Sequence, residues 1–168
     1  MNTKNTNRRV RKMLGLPLAF LSALGVNACK SIHTELPISA PPEEVWRVIT
    51  DTERYPEWNP YHVQVRGQLR EGETIQVEIE KPNGNHVSLE PEVLRVRENQ
   101  ELTWGGGITG LFTGEHVFEI LPREDGVLFV HREEFRGLFV PFAELDTIEE
   151  GYHLMNQALK RRIEQDGN

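Results

Sequence analysis

Two hydrophobic periods divide this chain. From Tyr61 to Phe135 apolar residues recur at every second position, the spacing of a half-buried β-strand. Val63 and Val65 alternate with Gln64 and Arg66, and Ile75, Val77 and Ile79 alternate with Gln76, Glu78 and Glu80. Arg70-Glu71-Gly72-Glu73 and Pro82-Asn83-Gly84-Asn85 turn the chain between them and after them. Val87 and Leu89 open the next strand, but the apolar phase slips by one at Val93-Leu94, after Pro91, which marks a β-bulge. Leu102 and Trp104 form a fifth short strand. His116, Phe118 and Ile120 alternate in a sixth, and a last strand runs from Val127 to Phe135 after the turn Glu124-Asp125-Gly126. Beyond it the period becomes helical: Phe142, Leu145, Ile148, Tyr152, Met155, Leu159 and Ile163 recur at steps of three and four. At 1.5 Å per residue this helix is roughly 30 Å long, enough to cross a whole sheet.

Upstream, a short strand is expected over His33–Ile38. Pro41-Pro42-Glu43-Glu44 is a helix start, because proline is tolerated and acids are favoured in the first turn. Val45, Trp46, Val48 and Ile49 give that helix an apolar side. Asp51 is placed to cap a second short helix through Arg54, with Pro56 stopping it and Trp58-Asn59-Pro60 as a loop. The order is strand, two short helices, six strands in hairpins and one long helix. That is an α+β arrangement in which the helix buries one face of an antiparallel sheet.

The first 29 residues break this pattern. Lys4, Arg8, Arg9, Arg11 and Lys12 form an acid-free basic start, and Met13–Val26 run apolar or small with only Ser22 polar. This is the order of a secretory signal, and the apolar run is too short to span a bilayer. The chain therefore reads as a signal over residues 1–29 and one domain over residues 30–166. Val26-Asn27-Ala28-Cys29 resembles a bacterial lipobox, which implies acylation of Cys29, export to the cell envelope and membrane attachment through lipid. Arg8-Arg9 also suits twin-arginine export, ranked second. Without this leader 14 cations face 26 acids, a net charge of −12, which repels phosphate backbones and excludes nucleic-acid binding.

Ile38-Ser39-Ala40-Pro41-Pro42-Glu43-Glu44-Val45-Trp46, with Asp51 and Tyr55-Pro56-Glu57-Trp58-Asn59-Pro60, resembles the opening of the SRPBCC, or START-like, superfamily. Gly114-Glu115-His116-Val117-Phe118, His131-Arg132-Glu133-Glu134-Phe135-Arg136-Gly137 and the stretch Met155–Lys160 resemble its later elements. The resemblance covers about residues 36–164. It implies the helix-grip fold: a curved seven-stranded antiparallel sheet wrapped around the C-terminal helix, with a cavity between them. Members bind lipids, sterols, polyketides, quinones or plant hormones, and some are polyketide cyclases or aromatases. The members most like this chain carry the polyketide cyclase/dehydrase label.

Strand parity selects the candidate residues. Phe129, His131, Glu133 and Phe135 share a face, and the two phenylalanines mark it as inward. His116 lies with Phe118 and Ile120, and Trp104 with Leu102. Together with Tyr152 and Met155 of the helix stripe, Trp104, His116, Phe118, Phe129, His131 and Glu133 are the expected ligand-lining set. An inward acid among apolar neighbours has a raised pKa. Three readings stay open for Glu133: a structural partner of His131, His116 or Tyr152, a ligand anchor, or a proton-transfer group with His131 or His116. His116, His131 and Glu133 include the residue types of zinc sites, but their spacing demands no metal, and none is expected. No cofactor is expected either: there is no nucleotide motif, Ser/His/Asp arrangement or cysteine nucleophile in the body.

Gly105-Gly106-Gly107 with Gly110 reads as a flexible entrance loop or a plain hairpin turn. Tyr55, Trp58 and Tyr61 either stack on an aromatic ligand at the cavity mouth or plug the fold. Gly151 interrupts the long helix, which calls for space for a ligand or a close strand. The favoured function is a binding or carrier module, monomeric or homodimeric, for an apolar small molecule such as a lipid, quinone or polyketide. A cofactor-free cyclase/dehydrase-type enzyme is the alternative.

Overall fold

The computed structural model describes residues 28–166. The basic and apolar leader, and with it the expected export signal, lies outside the described residues apart from Ala28 and Cys29. Strand β1 (Ala28–Ile38) is followed by α1 (Pro42–Thr50), a 3-10 turn (Thr52–Arg54) and α2 (Tyr55–Trp58). Seven strands come next: β2 (His62–Arg66), β3 (Gln76–Glu80), β4 (His86–Leu89), β5 (Glu92–Arg97), β6 (Glu101–Ile108), β7 (Phe112–Arg123) and β8 (Gly126–Gly137). A second 3-10 turn (Val140–Phe142) leads to α3 (Ile148–Asp166). Among the described residues no helix is long and apolar enough to cross a membrane.

All strands pair antiparallel, in two sheets ordered β1-β8-β7-β6-β5 and β2-β3-β4. The described residues thus hold eight strands, not seven. The segment expected to be one bulged strand breaks at Pro91 into β4 and β5, each paired in a different sheet. The seam is still bonded: the Ile75 amide donates to the Pro91 carbonyl at 3.0 Å, and the Val93 amide to the Glu73 carbonyl at 2.8 Å. The expected bulge is also present, as a register shift between Val93 and Arg95 against β6, which turns Leu94 outward.

Several local expectations need correction. Pro56 does not stop the second helix; it occupies the first turn of α2, where its missing N–H is harmless, and Trp58 belongs to that helix. Asp51 makes no side-chain cap bond to the 3-10 turn that follows it. Gly105, Gly106 and Gly107 are not a loop but the second half of β6, paired with Glu115, Gly114 and Thr113. Phe142 is outside α3 and 81% exposed, so the buried stripe is Ile148, Tyr152, Met155, Leu159 and Ile163.

The concave face of the five-stranded sheet is built in cross-strand rows. Leu102, Phe118, His131 and Thr34 stand side by side on β6, β7, β8 and β1, and each is buried. The next row is Trp104, His116, Glu133 and Ile32. In the row after that, β6 and β7 present Gly106 and Gly114, leaving Phe135 of β8 as the first bulky side chain. Helix α3 lies across this face against β1 and β8, about 28 Å long. Where the rows are full, helix and sheet pack solid. Where the glycines stand, a hollow opens.

The convex face is more covered than simple alternation suggests, with Thr103, Val117 and Val130 buried on it. Glu101 on that face accepts hydrogen bonds from Arg95 at 2.5 Å and Thr103 at 2.8 Å.

Candidate functional site

The hollow has a volume of about 380 Å³. Val77, Ile79, Val87 and Leu89 of the small sheet form one side; Ile148 and Tyr152 of α3, with Leu145 from the segment before it, form the other. Trp104, His116 and Glu133 are its floor, and Gly105–Gly107, Phe112 and Gly114 border it toward the β6–β7 hairpin. Lys81 reaches from β3 to the loop before α3, bonding the Glu144 carbonyl at 3.0 Å and its carboxylate at 3.4 Å. Asn83 and Asn85 of the β3–β4 hairpin donate to the same carboxylate, at 2.6 and 3.2 Å through Oε1. These bonds clasp the hairpin over the cavity and, with Lys81, hold the Glu144 carboxyl below its usual pKa.

Of the residues expected to line the cavity, Trp104, His116, Glu133 and Tyr152 do so. Phe118, Phe129, His131 and Met155 do not: they occupy the full rows behind the floor, wholly buried. Of the three aromatics after α1, only Tyr61 reaches the cavity. Tyr55 is fully buried with its hydroxyl donating to the Ile49 carbonyl at 2.6 Å, and Trp58 packs edge-on against it at 5.1 Å. Gly151 makes room for Tyr61, whose ring would lie 2.2 Å from a Cβ there.

Glu133 is sunk at the floor with the Tyr152 hydroxyl donating to Oε2. Burial raises its pKa to about 7, the tyrosine bond opposing the shift, so near neutrality its carboxyl exists in both protonation states. Tyr152 stacks on His131 at 3.6 Å and 19°. Its own pKa is driven well up by burial and by the neighbouring carboxylate. His116 lies under Trp104, stacked at 4.5 Å and 11°.

Behind the floor runs a chain of polar side chains. His116 Nε2 is 2.7 Å from His131 Nε2, and His131 Nδ1 is 2.9 Å from Asn156 Oδ1. The Asn156 amide donates to Thr34 Oγ1 at 2.9 Å, and Thr34 donates to the His131 carbonyl at 3.0 Å. Burial pushes His116 and His131 well below the usual imidazole range, helped for His116 by His131 and for both by His62, so the rings are neutral.

His62 was not among the expected site residues, yet it is buried on the same floor, its ring 5.0 Å from that of His116. Alternation along β2 sets Val63 and Val65 on one face. A register shift between His62 and Gln64 makes Val63 an extra residue, so His62 faces Ile79 from the inside. Asn59 fixes this start, its Oδ1 accepting from the Tyr61 and His62 amides at 3.0 Å each. Burial pushes His62 down to about 3. No signal in the β2 sequence marks the bulge.

Among the described residues no group of three or more His, Cys, Asp or Glu is arranged to hold a metal ion. What the floor offers is a carboxyl that titrates near neutrality beside two neutral imidazoles, under apolar sides.

A sequence profile of the family described as polyketide cyclase/dehydrase and lipid transport matches residues 30–164, nearly the whole described chain. The chain belongs to that family. Solved structures share its fold. A protein of unknown function from Staphylococcus aureus is 16% identical, with a TM-score of 0.64 over 84% of this chain and 98% of that one. A protein from Nitrosomonas europaea is 19% identical, with a TM-score of 0.65 over 82% and 96%. DynU16, a protein of the dynemicin biosynthetic locus, is 16% identical, with a TM-score of 0.60 over 80% of this chain and 47% of its own length. At these identities the likeness is one of fold. No protein of curated function matches the sequence.

Proposed function

We propose that this protein binds and carries an apolar small molecule in the cavity between α3 and the two sheets. One observation carries the reading: a hollow of about 380 Å³, lined mostly by apolar side chains, with polar groups at its floor and with Lys81, Glu90 and Glu144 also on its lining, kept open by glycines where neighbouring rows are filled. Its size is that of small-ligand sites, which span roughly 300–1,000 Å³, and a few convergent polar groups in an apolar pocket fix a ligand's orientation. Such a hollow suits the family's description, polyketide cyclase/dehydrase and lipid transport. Native mass spectrometry and solvent extraction of protein purified from its own host test the reading. A co-purified apolar molecule, lost when Trp104 and Gly106 are both replaced by bulkier or charged residues, supports it; failure of any apolar probe to bind opposes it.

A second reading has its own observation. Glu133, with a pKa of about 7 and the Tyr152 hydroxyl on one oxygen, has the properties of a proton-transfer group in a cofactor-free cyclase or dehydrase. Glu133→Gln separates the two: retained affinity with lost turnover favours catalysis, and lost affinity favours anchoring.

We also place the protein at the cell envelope, held by acylated Cys29. That residue is exposed at the start of β1, opposite Arg136 and next to the Ala28–Gly137 pair. Gly137 leads into exposed Leu138 and Phe139, which bond to Gly110 and Leu111 of the β6–β7 hairpin. This apolar end suits a membrane-facing cavity mouth. Cys29→Ser should move the protein from the membrane to the soluble fraction; unchanged fractionation refutes the anchor.

A further inference from the structure

The charges around the hollow do not balance. Its floor carries the Glu133 carboxyl, and its lining adds Glu90 and Glu144. Among the described lining residues Lys81 is the only lysine or arginine, and it is bound to the Glu144 carbonyl at 3.0 Å and carboxylate at 3.4 Å. The imidazoles near Glu133 bring no positive charge, because burial keeps His62, His116 and His131 neutral. An ionised Glu133 thus has no cation of the protein to pair with, and a carboxylate taken out of water is costly until one arrives.

One oxygen of that carboxyl is open to the hollow. Oε2 accepts the Tyr152 hydroxyl, while among the described residues no donor reaches Oε1. Glu133 is only part-buried and lines the cavity, so a guest can touch it, whereas His116 beside it is closed off. Oε1 borders the space that a glycine leaves: a Cβ on Gly114 would lie 3.2 Å from it and 3.3 Å from the Phe135 ring. Gly114 pairs with Phe135 across β7 and β8 and lines the same hollow. A guest seated over Gly114 therefore meets a carboxylate oxygen and an aromatic ring together.

We propose that the hollow selects a lipophilic amine, an apolar body with one protonated nitrogen that donates to Oε1 of Glu133, and that it discriminates against apolar acids. The inference rests on the binding role proposed above and narrows its ligand class. The field of the whole domain acts in the same sense: with 14 cations against 26 acids outside the leader, it draws cations in and repels anions.

The test uses three probes of similar shape: 2-(aminomethyl)naphthalene, 2-ethylnaphthalene and 2-naphthylacetic acid, titrated at pH 8 and followed by their fluorescence. The amine should bind at least about tenfold tighter than the hydrocarbon, the discrimination of a buried hydrogen bond between charged groups, and the acid should bind weakest. In Glu133→Gln the amine should bind no tighter than the hydrocarbon. The wild-type protein gives a second readout with no variant needed. As Glu133 protonates around pH 7, affinity for the amine should fall about tenfold from pH 8 to pH 6, and affinity for the hydrocarbon should not fall with it. Of the titratable groups around Glu133, Tyr61 and Tyr152 are pushed up and His62, His116 and His131 down, so none of them changes charge in that window. An amine that binds no better than the hydrocarbon, keeps its full preference in Glu133→Gln or binds tighter toward pH 6 overturns this inference and leaves the binding role standing. If none of the three probes binds, the binding role fails, and this inference with it.

Discussion

Acidification should unfold this protein unusually steeply, and the floor of the cavity supplies the magnitude. An unfolded histidine titrates near pH 6.5. In the fold His62 is pushed down to about 3, and His116 and His131 stay well below their usual range, each chiefly by burial. A depressed folded pKa means that the stability is fully present above about pH 6.5 and is lost as the pH falls toward the folded value. Glu133 has the opposite sign. Its folded pKa of about 7 lies above the unfolded carboxylate range, so its contribution is present at low pH and lost as pH rises through 7.

Between pH 6.5 and 5.5 an unfolded imidazole goes from half to about nine-tenths protonated, so unfolding takes up about two protons on the three imidazoles and releases nearly one from Glu133, a net uptake of about one to one and a half. At about 1.4 kcal/mol per proton per pH unit, stability should fall by about 2 kcal/mol between pH 6.5 and 5.5. Glu101 and Glu144, whose carboxyls are held low by Arg95 and Thr103 and by Asn83 and Lys81, act only at more acid pH. Urea unfolding at fixed ionic strength, in half-unit steps from pH 7.5 to 5, measures the slope. His62→Leu should make it shallower by about one proton, and Glu133→Gln steeper by about one. A stability that is flat or rising between pH 6.5 and 5.5 refutes the reasoning, because the imidazoles would then be taking protons inside the fold.

Gly151→Ala brings about 1 kcal/mol of helix propensity but places a methyl 2.2 Å from the buried Tyr61 ring, and overpacking of that kind costs about 1–3 kcal/mol. Denaturant midpoints should show net destabilisation in the wild type and a gain in a Tyr61→Leu background; a gain in both rejects the clash. Gly107→Ala should destabilise by about 2 kcal/mol or more, since a Cβ there meets the Phe112 carbonyl oxygen at 2.1 Å with φ at +113°; a midpoint shift under half that size contradicts it. Tyr55→Phe should lower stability by about 1–2 kcal/mol, because the buried Ile49 carbonyl loses its donor, and thermal unfolding reads this out.

Most of the fold was legible because its burial follows simple periods. The strands after Tyr61, the hairpin at Pro82–Asn85 and the buried stripe of α3 from Ile148 to Ile163 are where period two and period 3.6 put them. The errors share one cause, a local break whose direction depends on tertiary pairing. Pro91 reads as the site of a phase slip, yet only the pairing of Ile75 and Val93 around it shows that β4 and β5 join different sheets. The glycines of β6 look like a loop because no side chain records their alternation.

The site was half legible for the same reason. Row partners Trp104, His116 and Glu133 follow from parity on three regular strands. Parity does not say where along a strand the helix stops touching it, so Phe118, Phe129, His131 and Met155 were assigned to the hollow and belong to the core behind it. His62 was lost to the bulge in β2, which moves it inward without leaving any trace in composition.

The glycine run of β6 leaves a single adjustable point in the chamber. A Cβ at Gly105 would strike the Gly114 carbonyl oxygen at 2.6 Å and one at Gly107 the backbone of Phe112, whereas at Gly106 it meets nothing closer than Pro91 Cα at 3.7 Å. Alanine, valine or leucine at that one residue would narrow the bore stepwise while the scaffold around it stays as it is. Capacity and architecture are therefore separable in this barrel-like shell, and a lineage of such proteins has a one-codon route to smaller guests.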